Sequence, residues 1–192
     1  MLPHLSIKNL VLGSASPRRQ ALLKEAGFHF EVITADIDEH FPTNLLAQEI
    51  PLYLSRLKAN HLIKSLSKNQ ILITADTIVW LNNNALNKPA DFEDACQMLQ
   101  LLSGKKHEVF TGVSITSHQK QISFFVRTVV TFKPLSNEEI VYYVTHYKPY
   151  DKAGAYGAQD WIGLVGVEKI EGSYFNVMGL PVKELFEHLH EF

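Results

Sequence analysis

Asn9-Leu10-Val11-Leu12-Gly13-Ser14-Ala15-Ser16-Pro17-Arg18-Arg19 holds a short apolar strand, a loop of small residues and the start of a helix. Ser16 is a suitable N-cap and Pro17 a suitable first helical residue. The helix should run to Ala26, with Leu22, Leu23 and Ala26 on one face and Gly27 as its stop. The same alternation continues outward. Phe30 to Thr34 and Ile71 to Leu81 read as strands, and Leu45 to Leu66 has helical periodicity that Pro51 should interrupt or restart. Phe92 to Leu102 is a helix with Asp91 as N-cap. Glu108–Thr116 and Gln121–Phe132 form a hairpin across Ser117-His118-Gln119-Lys120. Ser136 to Glu139 has capping-box spacing and should open a helix to about His146. Asn82-Asn83-Asn84 is a turn, Lys148–Leu180 a Gly-containing region of loops and strands, and Pro181–His190 a closing helix. Strands alternating with helices give an α/β class, and the hairpin makes the sheet mixed rather than purely parallel.

The whole composition suits one domain over residues 1–192. The chain is 46% hydrophobic and 20% charged with a net charge of -2, which excludes dominant disorder and gives no basic field for nucleic acid. One cysteine, Cys96, excludes an intrachain disulfide framework, suits a reducing compartment and sits at an apolar helix position. No apolar run approaches the roughly 18 residues of a membrane span. Met1 to Leu5 does not open a secretory signal. A cytoplasmic chain without membrane or nucleic-acid partners is the expectation. Phosphate-loop, dinucleotide, zinc-protease and nucleophile-elbow motifs are all absent from the sequence, and its nine histidines show no zinc spacing.

Four groups of residues suggest chemistry. Arg18 and Arg19 lie in the first turn of a helix, the end that disfavours cations. An anion docked there reverses the sign, with Ser16, the free backbone N–H groups and both guanidinium groups converging on a phosphate. The plainer alternative is two solvated arginines. Asp76 interrupts an apolar strand on the face of Leu72, Thr74, Ile78 and Trp80. A carboxylate there needs a metal, a lysine or a water, or else backbone N–H donors at a bulge. In a dry cationic cleft it is a suitable general base for water. Lys58, Lys88 and Lys152 sit beside small or turn-forming residues, and Gln159 follows a loop that allows close approach of a ligand, where its amide could read a base edge. Asp36-Ile37-Asp38-Glu39 offers oxygens to Mg²⁺ or Mn²⁺, or is a charged loop.

Ser14-Ala15-Ser16-Pro17-Arg18-Arg19, Ala75-Asp76-Thr77, Lys88-Pro89, Leu102-Ser103-Gly104, Thr111-Gly112-Val113, Asp151 to Gly157, Gly172-Ser173-Tyr174 and Gly179-Leu180-Pro181 recur in order along the chain. Together they resemble the Maf family of nucleoside triphosphate pyrophosphatases. The resemblance implies an inosine-triphosphatase-like fold, with a mixed twisted sheet, flanking helices and two lobes around a cleft. It implies cleavage of a nucleoside triphosphate to the monophosphate and pyrophosphate with a divalent cation, and a homodimer. By motif position Asp76 corresponds to the proton acceptor. Arg18, Thr77 and Gln159 correspond to base-selective positions, and Glu39, Lys58 and Lys88 to polar positions of the active cleft. A Mg²⁺ or Mn²⁺ ion held by Glu39 and Asp76 together with phosphate oxygens is the further expectation. Ala75-Asp76-Thr77 resembles the dTTP/UTP subgroup rather than the 7-methyl-GTP subgroup, which usually has Ser-Asp-Gln. A nucleotide-sensing regulator of cell division that binds without turnover is the alternative class. Tyr53 stands where the family usually places an arginine, with Arg56 nearby, and Asn87 replaces a more usual glycine or glutamate.

Overall fold

A computed structural model of the chain describes residues 9–34 and 37–192. The sequence readings of Met1 to Leu5 and of Asp36 therefore lie outside the described residues. The strands are β1 (Leu10–Gly13), β2 (Phe30–Ile33), β3 (Ile71–Leu81), β4 (Asn84–Leu86), β5 (Lys106–Thr116), β6 (Gln121–Phe132) and β7 (Val167–Glu171). The helices are α1 (Pro17–Glu25), α2 (Glu49–Leu62), α3 (Phe92–Leu102), α4 (Asn137–Tyr147), α5 (Trp161–Gly166), α6 (Tyr174–Val177) and α7 (Val182–His190). Short 3-10 turns cover Ile63–Ser65 and Ala153–Ala155. The seven strands form one sheet in the order β2-β1-β3-β5-β6-β7, with β4 paired to β3. β1 is parallel to both β2 and β3, whereas β4 is antiparallel to β3 and β7 to β6. The mixed α/β class expected from the alternation is the observed one.

The chain forms two compact units. The first comprises the described part of Met1–Asp76, with Thr111–Val126 and Gly179–Phe192. Its β1 and the Leu72–Asp76 part of β3 are buried, and Val11 and Leu72 pack with Ala59 and Leu62 of α2. A Cβ on Gly13 would come within 2.7 Å of the Leu62 side chain and 2.8 Å of Thr74, so the strand must end on a residue without one. Gly112 on β5 is under a similar constraint, since its Cβ would lie 2.4 Å from the Pro51 carbonyl. α2 therefore rests directly on the strand backbone.

The second unit comprises Thr77–Phe110 and Arg127–Met178. α3 and α4 pack Leu99, Leu102, Ile140 and Tyr143 against Val79, Val130 and Phe132. Each fully buried Leu or Phe stabilises by roughly 1.5–3 kcal/mol. Cys96 is half-buried against the same core, and its burial raises the thiol pKa, with Glu93 adding to the effect. Both helix starts follow the local chemistry. Asp91 accepts the Asp94 N–H at 2.9 Å, and Ser136 and Glu139 form the reciprocal capping box.

Several elements differ from the sequence reading: β5 begins at Lys106 rather than Glu108, and the Lys148–Leu180 region, read as loops and strands, holds the helices α5 and α6. α2 starts at Glu49 rather than Leu45, because Ala47 has φ 44° and the Leu46 N–H is bound by the Glu49 side chain. Pro51 thus falls in the first turn, where a missing N–H costs no intrahelical bond. Asn82 and Asn83, at φ 50° and 62°, make the tight turn of a hairpin, and Asn84–Leu86 returns as the strand β4. α7 begins at Val182, one residue later than read, and Pro181 occupies its N-cap.

Candidate active site

The first unit's site starts where β1 meets α1. Ser16 is at the N-cap position, but its hydroxyl caps nothing. Ser14 instead accepts the Ser16 N–H and an Arg19 N–H, both at 3.3 Å. Arg19 also donates from Nε to the Gly179 carbonyl at 2.8 Å. Burial lowers the Arg19 pKa; the Asp76 carboxylate opposes that shift, the Arg18 charge adds to it, and Glu39 opposes it. A guanidinium keeps its proton even so. Arg19 is thus a fixed cation within the electrostatic reach of two carboxylates and a second arginine. Arg18 lies beside it on α1, partly buried.

Asp76 is buried on β3, at 8% exposure. The question its position raised is answered by lysine: Lys58 Nζ of α2 lies 2.5 Å from Asp76 Oδ1 and 2.8 Å from Glu39 Oε1. The Lys58 and Asp76 side chains are almost enclosed, at 14% and 11% exposure, while Glu39 is 40% exposed. The register that produces this contact is set one step back on both elements. Thr74 Oγ1 donates to the Ser55 carbonyl at 2.7 Å, and the Ser55 hydroxyl meets that of Ser114 at 3.0 Å. Two residues along β3 and about one turn along α2, the same facing surfaces carry Asp76 and Lys58.

In the second unit Lys152 Nζ lies 2.8 Å from Asp151 Oδ1 and 3.7 Å from Asp160 Oδ2. Asp160 Oδ2 accepts from the Tyr143 hydroxyl at 2.8 Å, and that hydroxyl accepts the Gly157 N–H at 3.0 Å. Gln159 is half-buried, and its Oε1 is buried without a hydrogen-bond partner. Thr77 follows Asp76 on β3, and Lys88 is exposed between β4 and α3.

The contacts thus bring together Arg19, Lys58, Glu39 and Asp76 in one unit, and Lys152 with Asp160 in the other. The sequence signals do not single out Tyr143 or Asp160. Tyr143 was findable, because a tyrosine on the same face as Ile140 and Val144 buries a hydroxyl that needs a partner. Among the described residues no group of three His, Cys, Asp or Glu side chains is arranged for a metal ion. Glu39 and Asp76 do share one ammonium, and two carboxylates of that kind suit Mg²⁺, which usually takes one or two protein carboxylates beside substrate phosphates and water.

The site thus lies on a mixed α/β sheet, with a buried aspartate paired to a lysine and an arginine of the strand-to-helix turn within its electrostatic reach. Residues 9–192 match the family described as Maf-like protein, and the chain belongs to that family. It is 49% identical over 192 residues to the dTTP/UTP pyrophosphatase of Bacteroides fragilis (strain YCH46), covering 100% of both chains. It is 50% identical over 190 residues to the dTTP/UTP pyrophosphatase of Phocaeicola vulgatus, covering 98% of each. Among solved structures, the Staphylococcus aureus Ham1 protein superposes with a TM-score of 0.55 over 96% of this chain and 99% of that one, at 14% identity. That last likeness is one of fold.

Proposed function

We propose that this protein hydrolyses dTTP and UTP to the monophosphate and pyrophosphate. The observation that carries the reading is the buried Asp76–Lys58–Glu39 cluster beside Arg19, in a chain about half identical along its whole length to proteins named for that activity. Lys58 holds Oδ1 of Asp76, which leaves Oδ2 as the oxygen assigned to water. Asp76 takes a proton from that water as it attacks the α-phosphorus, and the bond between the α-phosphorus and the bridging oxygen breaks. The electron pair leaves with pyrophosphate. Arg19 and Lys58, with Lys88 and Lys152, offset the negative charge of the triphosphate, Ser16 adds a hydroxyl donor near the start of α1, and Arg18 is assigned to the base side. Such placed cations matter more than covalent assistance in phosphoryl transfer.

Glu39 and Asp76 are the residues to hold Mg²⁺ or Mn²⁺, which when bound supplies Lewis-acid polarisation of phosphate oxygens. Thr77 and Gln159 select the base. The unpartnered Oε1 of Gln159 supports this assignment, because it suits a ring N–H of the kind thymine and uracil carry. We also assign the chain to the cytoplasm, on its single cysteine, and to a homodimer. No helix among the described residues is long and apolar enough to cross a membrane.

The test is pyrophosphate release from dTTP and UTP with Mg²⁺ or Mn²⁺ supplied in turn. Asp76→Asn should lower turnover by roughly 10²–10⁴-fold in a protein that stays folded. Near-normal turnover in that variant removes Asp76 as the base, and tight nucleotide binding without any release would instead make the protein a sensor.

A further inference from the structure

The second unit contains a polar hub that the proposed chemistry does not use. Tyr143 of α4 is wholly buried, and its hydroxyl both donates to Asp160 Oδ2 and accepts from the Gly157 N–H. The Asp160 N–H donates in turn to the Gly157 carbonyl at 3.0 Å. The turn from Gly157 to Asp160 is therefore closed twice, once by its own backbone and once through a phenol on a helix.

Gln159 sits inside that turn. A Cβ on Gly157 would lie 2.5 Å from Asp160 Oδ2 and 2.8 Å from Gln159 Nε2, so the carboxylate and the amide both pack on the glycine's bare face. An amide presents a donor and an acceptor on the same end, and it distinguishes one base from another only while its plane is fixed. A rotating amide serves either partner. Burial, reinforced by the Asp160 charge, raises the Tyr143 pKa, so the hydroxyl retains the proton it donates.

We propose that Tyr143 is a positioning residue for base selection: its hydroxyl locks the Gly157–Asp160 turn so that Gln159 holds its amide in one orientation. The inference rests on the reading of Gln159 as base-selective. A merely structural tyrosine would contribute stability and affect all nucleotides alike. A positioning tyrosine changes their ratio.

The experiment compares kcat/KM for dTTP, UTP, dCTP and dGTP in the natural protein, Tyr143→Phe and Val144→Ala. Val144 is the next buried residue of the same helix and lies in the core, outside the hub. Tyr143→Phe is expected to reduce the dTTP-to-dCTP ratio by about tenfold, the order of discrimination that a well-placed buried hydrogen bond can exceed. Val144→Ala is expected to lower thermal stability and leave the ratio alone. An unchanged ratio in Tyr143→Phe overturns the inference, and so does an equal shift in both variants, since loosened packing would then suffice. If Tyr143→Phe does not fold, Asp160→Asn takes its place, because it keeps the shape and weakens the bond from the hydroxyl; an unchanged ratio there is equally fatal. Dissociation constants of the same four nucleotides, by calorimetry, read the ratio separately from turnover. A natural protein that binds them and releases no pyrophosphate refutes the proposed function while leaving the role of Tyr143 measurable.

Discussion

Each unit holds a largely enclosed aspartate, and the two are held in opposite ways. In the first, Asp76 is matched by full charge: Lys58 touches it and the half-buried Arg19 acts on it electrostatically. In the second, Asp160 is held mainly by a neutral phenol at 2.8 Å, with Lys152 standing off at 3.7 Å. Dense charge suits a place where charge must be moved or offset during a reaction. A neutral hydrogen-bonded hub suits a place where shape must be kept. The contrast teaches that enclosure alone does not define a carboxylate's electrostatic surroundings; the partner it is given does.

The sharpest way to break the comparison is Lys58→Ala. It leaves Asp76 and Glu39 without their shared ammonium, and kcat/KM for dTTP should fall by roughly 10²–10³-fold, the cost of removing one placed electrostatic donor. Steady-state assays read it, and a change of less than about threefold would place the chemistry elsewhere.

A smaller effect tests the neutral character of the second unit. His107 is buried there, with Nε2 2.8 Å from the Tyr156 hydroxyl, and burial lowers its pKa to about 4. The unfolded chain takes up this proton near its ordinary value while the folded protein does not. Stability should therefore be full above about pH 6.5 and decline as pH falls toward 4. Urea titrations at successive pH values measure the slope, and His107→Phe should flatten it. A slope that His107→Phe leaves unaltered would assign the acid sensitivity to other groups.

The smallest effect sharpens the comparison by leaving both carboxylates alone. Ser136→Ala removes the side-chain half of the α4 capping box and should cost about 1 kcal/mol without altering the base ratio. A changed ratio would show that the start of α4 is coupled to the turn that Tyr143 holds.

Much of this was legible in the residues because the signals were local. The β-branched run from Ile71 sets both bounds of β3 and isolates Asp76 within it, and the caps at Asp91 and Ser136 are decided within one helical turn. The errors arise where a decision depends on something further off. Pro51 looks like an interruption until the Leu46–Glu49 contact fixes where α2 begins. β4 is three residues long and has meaning only against β3. Ser16 has the right type for a capping hydroxyl, but in the folded loop Ser14 takes the hydrogen bonds. Tyr143 and Asp160 are 17 positions apart on a helix and a turn, and no periodicity links them.

The bond from Arg19 Nε to the Gly179 carbonyl joins positions 160 residues apart. During synthesis the arginine emerges early and its anchor very late. A nascent chain can form the local Ser14–Arg19 bond early, yet the second anchor of this guanidinium is not available until Gly179 has been synthesised. Shortening the chain before that residue would remove this bond and leave the one to Ser14, so a truncated product would be expected to hold Arg19 less firmly.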